Sequence, residues 1–138
     1  IIGALVMPTV AARAATLTPY VLAFGALLVA GYTGLLLAPT TLPWLWAALL
    51  GMSGFAFPLA IALLTARTRS TAVTAQLSGF VQPVGYLFAA LGPFAVGLIH
   101  QATGGWDLVL VLLILTAVPF TLAGLRVARP VFVDDELA

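Results

Sequence analysis

Thr74, Ser78, Gln82 and Tyr86 recur every four residues within Ala72 to Ile99, an apolar run without a charged side chain. On a helix each four-residue step turns about 40°, so the four groups cover about a third of the circumference. A polar stripe on an otherwise apolar helix must face protein or water, because hydrocarbon offers its hydrogen-bonding groups no partner. Two readings stay open: the stripe lines a wet cavity, or Ser78 and Gln82 bond a neighbouring helix. Pro83 lacks an amide donor and clashes one turn back, leaving backbone near Gly79 free for other bonds. Gly92-Pro93 supplies a second break. Interrupted helices of this kind can hold a bound molecule and bend around it.

The preceding apolar segment contains GMSGFAFP at 51–58. Gly51, Gly54 and Pro58 fall on one face and form a notch, with Ser53 beside it and Phe55 and Phe57 near the middle of the segment. Aromatic rings together with an amide suit a small, planar or weakly polar solute; packing against neighbours is the plainer use of the phenylalanines. Ser53, Phe57, Ser78, Gln82 and Tyr86 are therefore the candidate cavity residues, and Gly51, Gly54, Pro58, Pro83 and Pro93 the candidate flexing positions.

Other chemistries lack their residues. The chain has no cysteine, one histidine and four acids, which excludes thiolate catalysis and disulfides and leaves little for a metal site. There is no HExxH, GxSxG or acid pair, so neither an enzyme nor a cofactor is expected. Apart from Asp107 at the very start of the last one, no charged residue or histidine falls inside a predicted span, and proton or ion pathways through a membrane normally need one. Net charge is +1 with no basic patch, so no nucleic-acid partner is expected.

The elements that must position these groups follow from composition. Hydrophobic residues make up 63% of the 138 and charged residues 7%, against about a quarter in soluble domains. The chain therefore belongs in a lipid bilayer. Backbone groups in lipid must pair within the segment, so the spans are helices. Charges and turn residues cut the sequence into spans at about 20–38, 43–66, 72–99 and 106–125, with a partial one at 1–12. ARTRST at 66–71 and HQATGG at 100–105 read as breaks, and 126–138 as a polar tail. The opening IIGALVMPTVAAR is too short to cross about 30 Å of hydrocarbon, which suggests a chain that starts within a helix. A re-entrant stub is the alternative.

The five arginines, at 13, 67, 69, 126 and 129, all fall on one side of this topology, and the turns at 39–42 and 100–105 carry none. The arginine side, including the DDE at 134–136, is therefore expected to be cytoplasmic. Trp44, Trp46 and Trp106 fall at the opposite ends of helices, in the headgroup layer that indoles prefer. Asp107 reads as a cap and His100 as a turn residue. In the 20–38 helix, Ala23, Ala30 and Gly34, with Gly31 and Thr33 close by, mark a packing face.

Phe57-Pro58-Leu59-Ala60, then Gly79, Gln82, Gly85-Tyr86, Ala89-Ala90, Gly92-Pro93, His100, Thr103-Gly104 and Trp106 resemble the last helices of major facilitator superfamily transporters, most closely the cyanate and nitroimidazole branch. The likeness covers about Gly3 to Leu125. Two positions depart from it: Ala12 stands beside Arg13 where the family has an acid, and Gln101 stands where the turn commonly has aspartate. The resemblance implies an all-α membrane fold, the C-terminal part of a twelve-helix architecture comprising the end of helix 8 and helices 9–12. It also implies secondary active transport of a small solute, a small anion or polar heterocycle, by alternating access. The partners would be that solute, the lipid bilayer and a missing N-terminal half, in a bacterial inner membrane with a cytoplasmic C-terminus. The rival expectation is a helical membrane subunit or assembly partner that moves nothing.

Overall fold

The computed structural model describes residues 2–133, and Asp134, Asp135 and Glu136 of the acidic tail lie outside the described residues. It is all-helical: α1 (Ile2–Arg13), α2 (Thr18–Leu37), α3 (Pro43–Ser53), α4 (Ala56–Ala66), α5 (Thr71–Thr103) and α6 (Asp107–Val127). Four stretches are long and apolar enough to cross a membrane, namely α2, α3 with α4, α5 and α6.

Helix starts follow local chemistry. Pro19 and Pro43 sit in the first turns of α2 and α3, where a missing N–H leaves nothing unpaired. Ser70 caps α5 by accepting from the Val73 N–H at 3.2 Å. The segment predicted as one helix over 43–66 is interrupted between Ser53 and Ala56. Pro58 has no N–H for the Gly54 carbonyl, which accepts from Phe57 at 3.1 Å instead; Phe55 likewise donates to Met52 at 3.1 Å. Two three-residue bonds tighten the chain at mid-span.

α5 runs through Pro83 and Pro93 without a break and continues four residues past the predicted end at Ile99. His100 to Thr103, expected in a turn, form its last turn. The reversal is confined to Gly104, Gly105 and Trp106, with Gly104 at φ 70° and its N–H on the His100 carbonyl at 2.8 Å. At 1.5 Å per residue, 33 residues extend about 50 Å, more than the hydrocarbon thickness.

α2 is the hub, packed on α3 along one side and α6 along another, while α1 packs on α4. Its contact face is Val21, Phe24, Gly25, Gly31 and Gly34, which corrects the predicted face: Ala23 and Ala30 are exposed. Gly25 lies against Thr121, Gly31 against Leu50 and Gly34 against Trp46, and Gly124 of α6 returns the approach against Val21. Without a hydrophobic force between helices in lipid, close backbone approach at small residues is what gains packing energy. A core of Met7, Leu17, Val21, Phe24, Leu59, Leu63 and Ala128 closes the arginine end. α5 stands apart, with no buried residue along its length.

Candidate functional site

Gln82 lies about 16 Å along α5 from Thr71, near the middle of a bilayer-sized span. Between α4 and α5 is a cavity of about 330 Å³ lined by Phe57, Ala60, Ile61, Leu64, Val81, Gln82, Gly85, Tyr86 and Ala89. Three of the five candidate side chains, Phe57, Gln82 and Tyr86, thus meet at one cavity, and no charged group is among the lining. The spacing explains the meeting: Gln82 and Tyr86 are one turn apart, and Gly85 and Ala89 between and beyond them leave room. Pro93 denies the Ala89 carbonyl its usual donor four residues on.

Ser53 and Ser78 do not join them. Ser53 is 5% exposed, and its hydroxyl donates to the Leu50 carbonyl of its own helix at 2.7 Å. Ser78 stays half-buried on the stripe one turn before Gln82. Thr74, at the stripe's start, is consumed locally: it bonds the Ser70 carbonyl at 3.0 Å and the Thr68 hydroxyl. Among the described residues the Gln82 amide and the Ser78 hydroxyl have no hydrogen-bond partner on another helix.

The predicted notch opens a second, larger hollow of about 870 Å³ between α1 and the α3–α4 break, bordered by Gly51, Gly54, Phe55, Phe57 and Pro58. Phe57 and Ile61 border both spaces. Sequence reasoning missed the α1 side of this hollow. That side is lined by Gly3, Ala4, Pro8, Ala11 and Ala12, which read in the sequence only as part of a partial span.

Chemically, the α4–α5 cavity offers an amide with two donors and an acceptor, a phenol and an aromatic face. Such groups can orient a small planar molecule, or accept a small anion through N–H and O–H donors, without a fixed charge. No group of ≥ 3 metal-ligating side chains occurs among the described residues.

Comparison with known proteins finds membrane transporters. The chain is 33% identical to the uncharacterized transporter YycB of Bacillus subtilis (strain 168) over 124 residues, 88% of this chain and 31% of that protein. The chain resembles a segment of the cyanate and nitroimidazole type of major facilitator transporter. It is also 33% identical to the cyanate transport protein CynX of Escherichia coli (strain K12), over 75% of this chain and 27% of that protein. The 2-nitroimidazole transporter of Escherichia coli (strain K12) is 36% identical over 61% of this chain and 22% of its own length. The chain thus spans about a third or less of these transporters, with coverage of 31%, 27% and 22%. No family model and no solved structure matches. The all-helical architecture is that of the C-terminal part of a major facilitator fold in a multi-pass integral membrane protein.

Proposed function

We propose that this chain forms part of a secondary transporter that moves a small solute by alternating access. α5 lines the passage and the α3–α4 break lets its wall flex. α1 corresponds to the end of helix 8, α2 to helix 9, α3 with α4 to helix 10, and α5 and α6 to helices 11 and 12. The arginine-bearing ends face the cytoplasm of a bacterium, across its inner membrane. The protein is a carrier and not an enzyme.

The observation that carries this reading is the meeting of Phe57, Gln82 and Tyr86 at one uncharged cavity near mid-span. Cyanate and 2-nitroimidazole, the solutes named for two of the relatives, are small, and both can accept hydrogen bonds. An amide, a phenol and an aromatic face suit that class.

Cysteine scanning of residues 74–90 in the intact transporter tests the reading. Modification by a water-soluble thiol reagent should peak at 78, 82 and 86, with solute protecting 82 and 86. Labelling without a four-residue period would place the stripe outside any aqueous passage and overturn it.

A further inference from the structure

A groove of about 400 Å³ lies at the arginine end, between α4, α5, α6 and the segment after α6. Its walls are apolar, with Leu64, Val81 and Val127 among them, and Arg67, Arg126 and Arg129 line it as well. Three cations, one just past the end of α4, one in the last turn of α6 and one in the segment after it, converge there although only five occur in the sequence.

Among the described residues no carboxylate pairs with them. The acid within the described residues, Asp107, opens α6 nineteen residues before Arg126, about 28 Å away along the helix. Arg67 gives one N–H of its guanidinium, from Nη2, to the Ala128 carbonyl at 3.4 Å, while its Nε is buried with no acceptor. A buried donor without an acceptor is costly, and guanidinium forks match phosphate oxygens in pairs.

We propose that this groove binds an anionic phospholipid, its phosphate held by Arg67, Arg126 and Arg129 and one acyl chain lying along the apolar wall. The match is amphipathic: a free inorganic anion would use the arginines but leave the apolar wall without an occupant, and a zwitterionic lipid would fill the wall but bring a cation to the arginines. The bound lipid bridges α4, α6 and the segment after it, where Val133 already donates to the Arg67 carbonyl at 3.0 Å. The groove adjoins the α4–α5 cavity, with Ala60, Leu64 and Val81 bordering both, but none of its three arginines lines that cavity, and the proposal does not depend on which solute is carried.

Native mass spectrometry of the intact transporter in detergent, titrated with phosphatidylglycerol or phosphatidylcholine of matched chains, tests it. The wild-type protein should retain phosphatidylglycerol preferentially. Each of Arg67→Gln, Arg126→Gln and Arg129→Gln should weaken retention about fivefold, the value of one basic side chain near an anionic headgroup. Arg13→Gln should not change it. Val127→Trp, which fills the groove with the arginines intact, should also weaken it, whereas capture by charge alone would be unaffected. Arg→Lys variants, with size-exclusion profiles, separate loss of the site from loss of the fold. Equal retention of the two lipids by the wild type would overturn the proposal. So would a preference seen only after Asp134→Asn, Asp135→Asn and Glu136→Gln, since the chain's own carboxylates would then be the occupant.

Discussion

The indole of Trp46 fills the space that a Cβ on Gly34 would need, and its Nε1–H donates to the Ala38 carbonyl at 2.9 Å. α2 and α3 are thereby pinned at the end remote from the arginines, one by the absence of a side chain and the other by a ring held on a carbonyl just past the end of α2, which also accepts from the Thr41 N–H at 3.3 Å. Gly34→Val should lower stability by about 1–3 kcal/mol through overpacking. Trp46→Phe keeps most of the ring but drops the hydrogen bond, and should lose about 1 kcal/mol. Thermal unfolding of the purified protein measures both. If Gly34→Val matched the wild type, the ring would not be fixed where it lies.

Pro58 sets the break between α3 and α4, since it denies the Gly54 carbonyl its usual donor. Pro58→Ala restores that donor and should straighten the span. Stability should rise, by up to about 3 kcal/mol, the ordinary difference between proline and alanine inside a helix. Solute uptake should fall, because the flexing point is lost. Uptake at wild-type rate by a more stable Pro58→Ala protein would show the break to be incidental to transport.

Segments with a strong period or a hard stop were legible in the sequence. The spans came from apolar length, and two of the cavity side chains, Gln82 and Tyr86, from a four-residue recurrence whose other members, Thr74 and Ser78, do not reach the cavity. The helix break was foreshadowed by Gly54 and Pro58. The packing partners were not legible. α2 is apolar all round, so nothing in its pattern distinguishes exposed Ala30 from buried Gly31; only the approach of Leu50 does. The end of α5 was misplaced because His100 to Thr103 look like turn residues by polarity. Their backbone stays helical since Gly104, not His100, supplies the left-handed conformation that stops it. Ser53 was drawn into the cavity by its neighbours in sequence, whereas its hydroxyl is satisfied by its own helix.

The α5–α6 turn is held by a small aromatic assembly. His100 and Trp106 stack with ring centres 4.1 Å apart, and the His100 Nδ1–H donates to the Gly105 carbonyl at 3.0 Å. Gly104 between them sits at φ 70°, where a side chain is strained. Gly104→Ala should cost about 1–2 kcal/mol. His100→Phe, which keeps the stack, should be milder than His100→Ala, which loses about 0.5–1.5 kcal/mol of ring contact as well as the bond. Thermal unfolding of the three variants should rank His100→Phe above His100→Ala. The reverse order would mean that the stack contributes nothing.

Ser53 and Gln82 separate the cavity from the residues around it. Both are polar and both lie near mid-span, but only Gln82 reaches the α4–α5 cavity and only Ser53 is already hydrogen-bonded. Replacing a group that bonds the solute removes that bond, whereas replacing a serine that bonds its own helix removes a redundant acceptor contact. Gln82→Ala should therefore lower transport efficiency about tenfold, the loss of roughly one hydrogen bond to the solute. Ser53→Ala should leave transport within about twofold, because the Leu50 carbonyl keeps its backbone donor from Gly54 at 3.1 Å. Uptake of radiolabelled cyanate and of a nitroimidazole by cells expressing each variant, normalised to protein in the membrane, gives the comparison. A large defect in Ser53→Ala with normal transport by Gln82→Ala would move the solute site from α5 to the α3–α4 break.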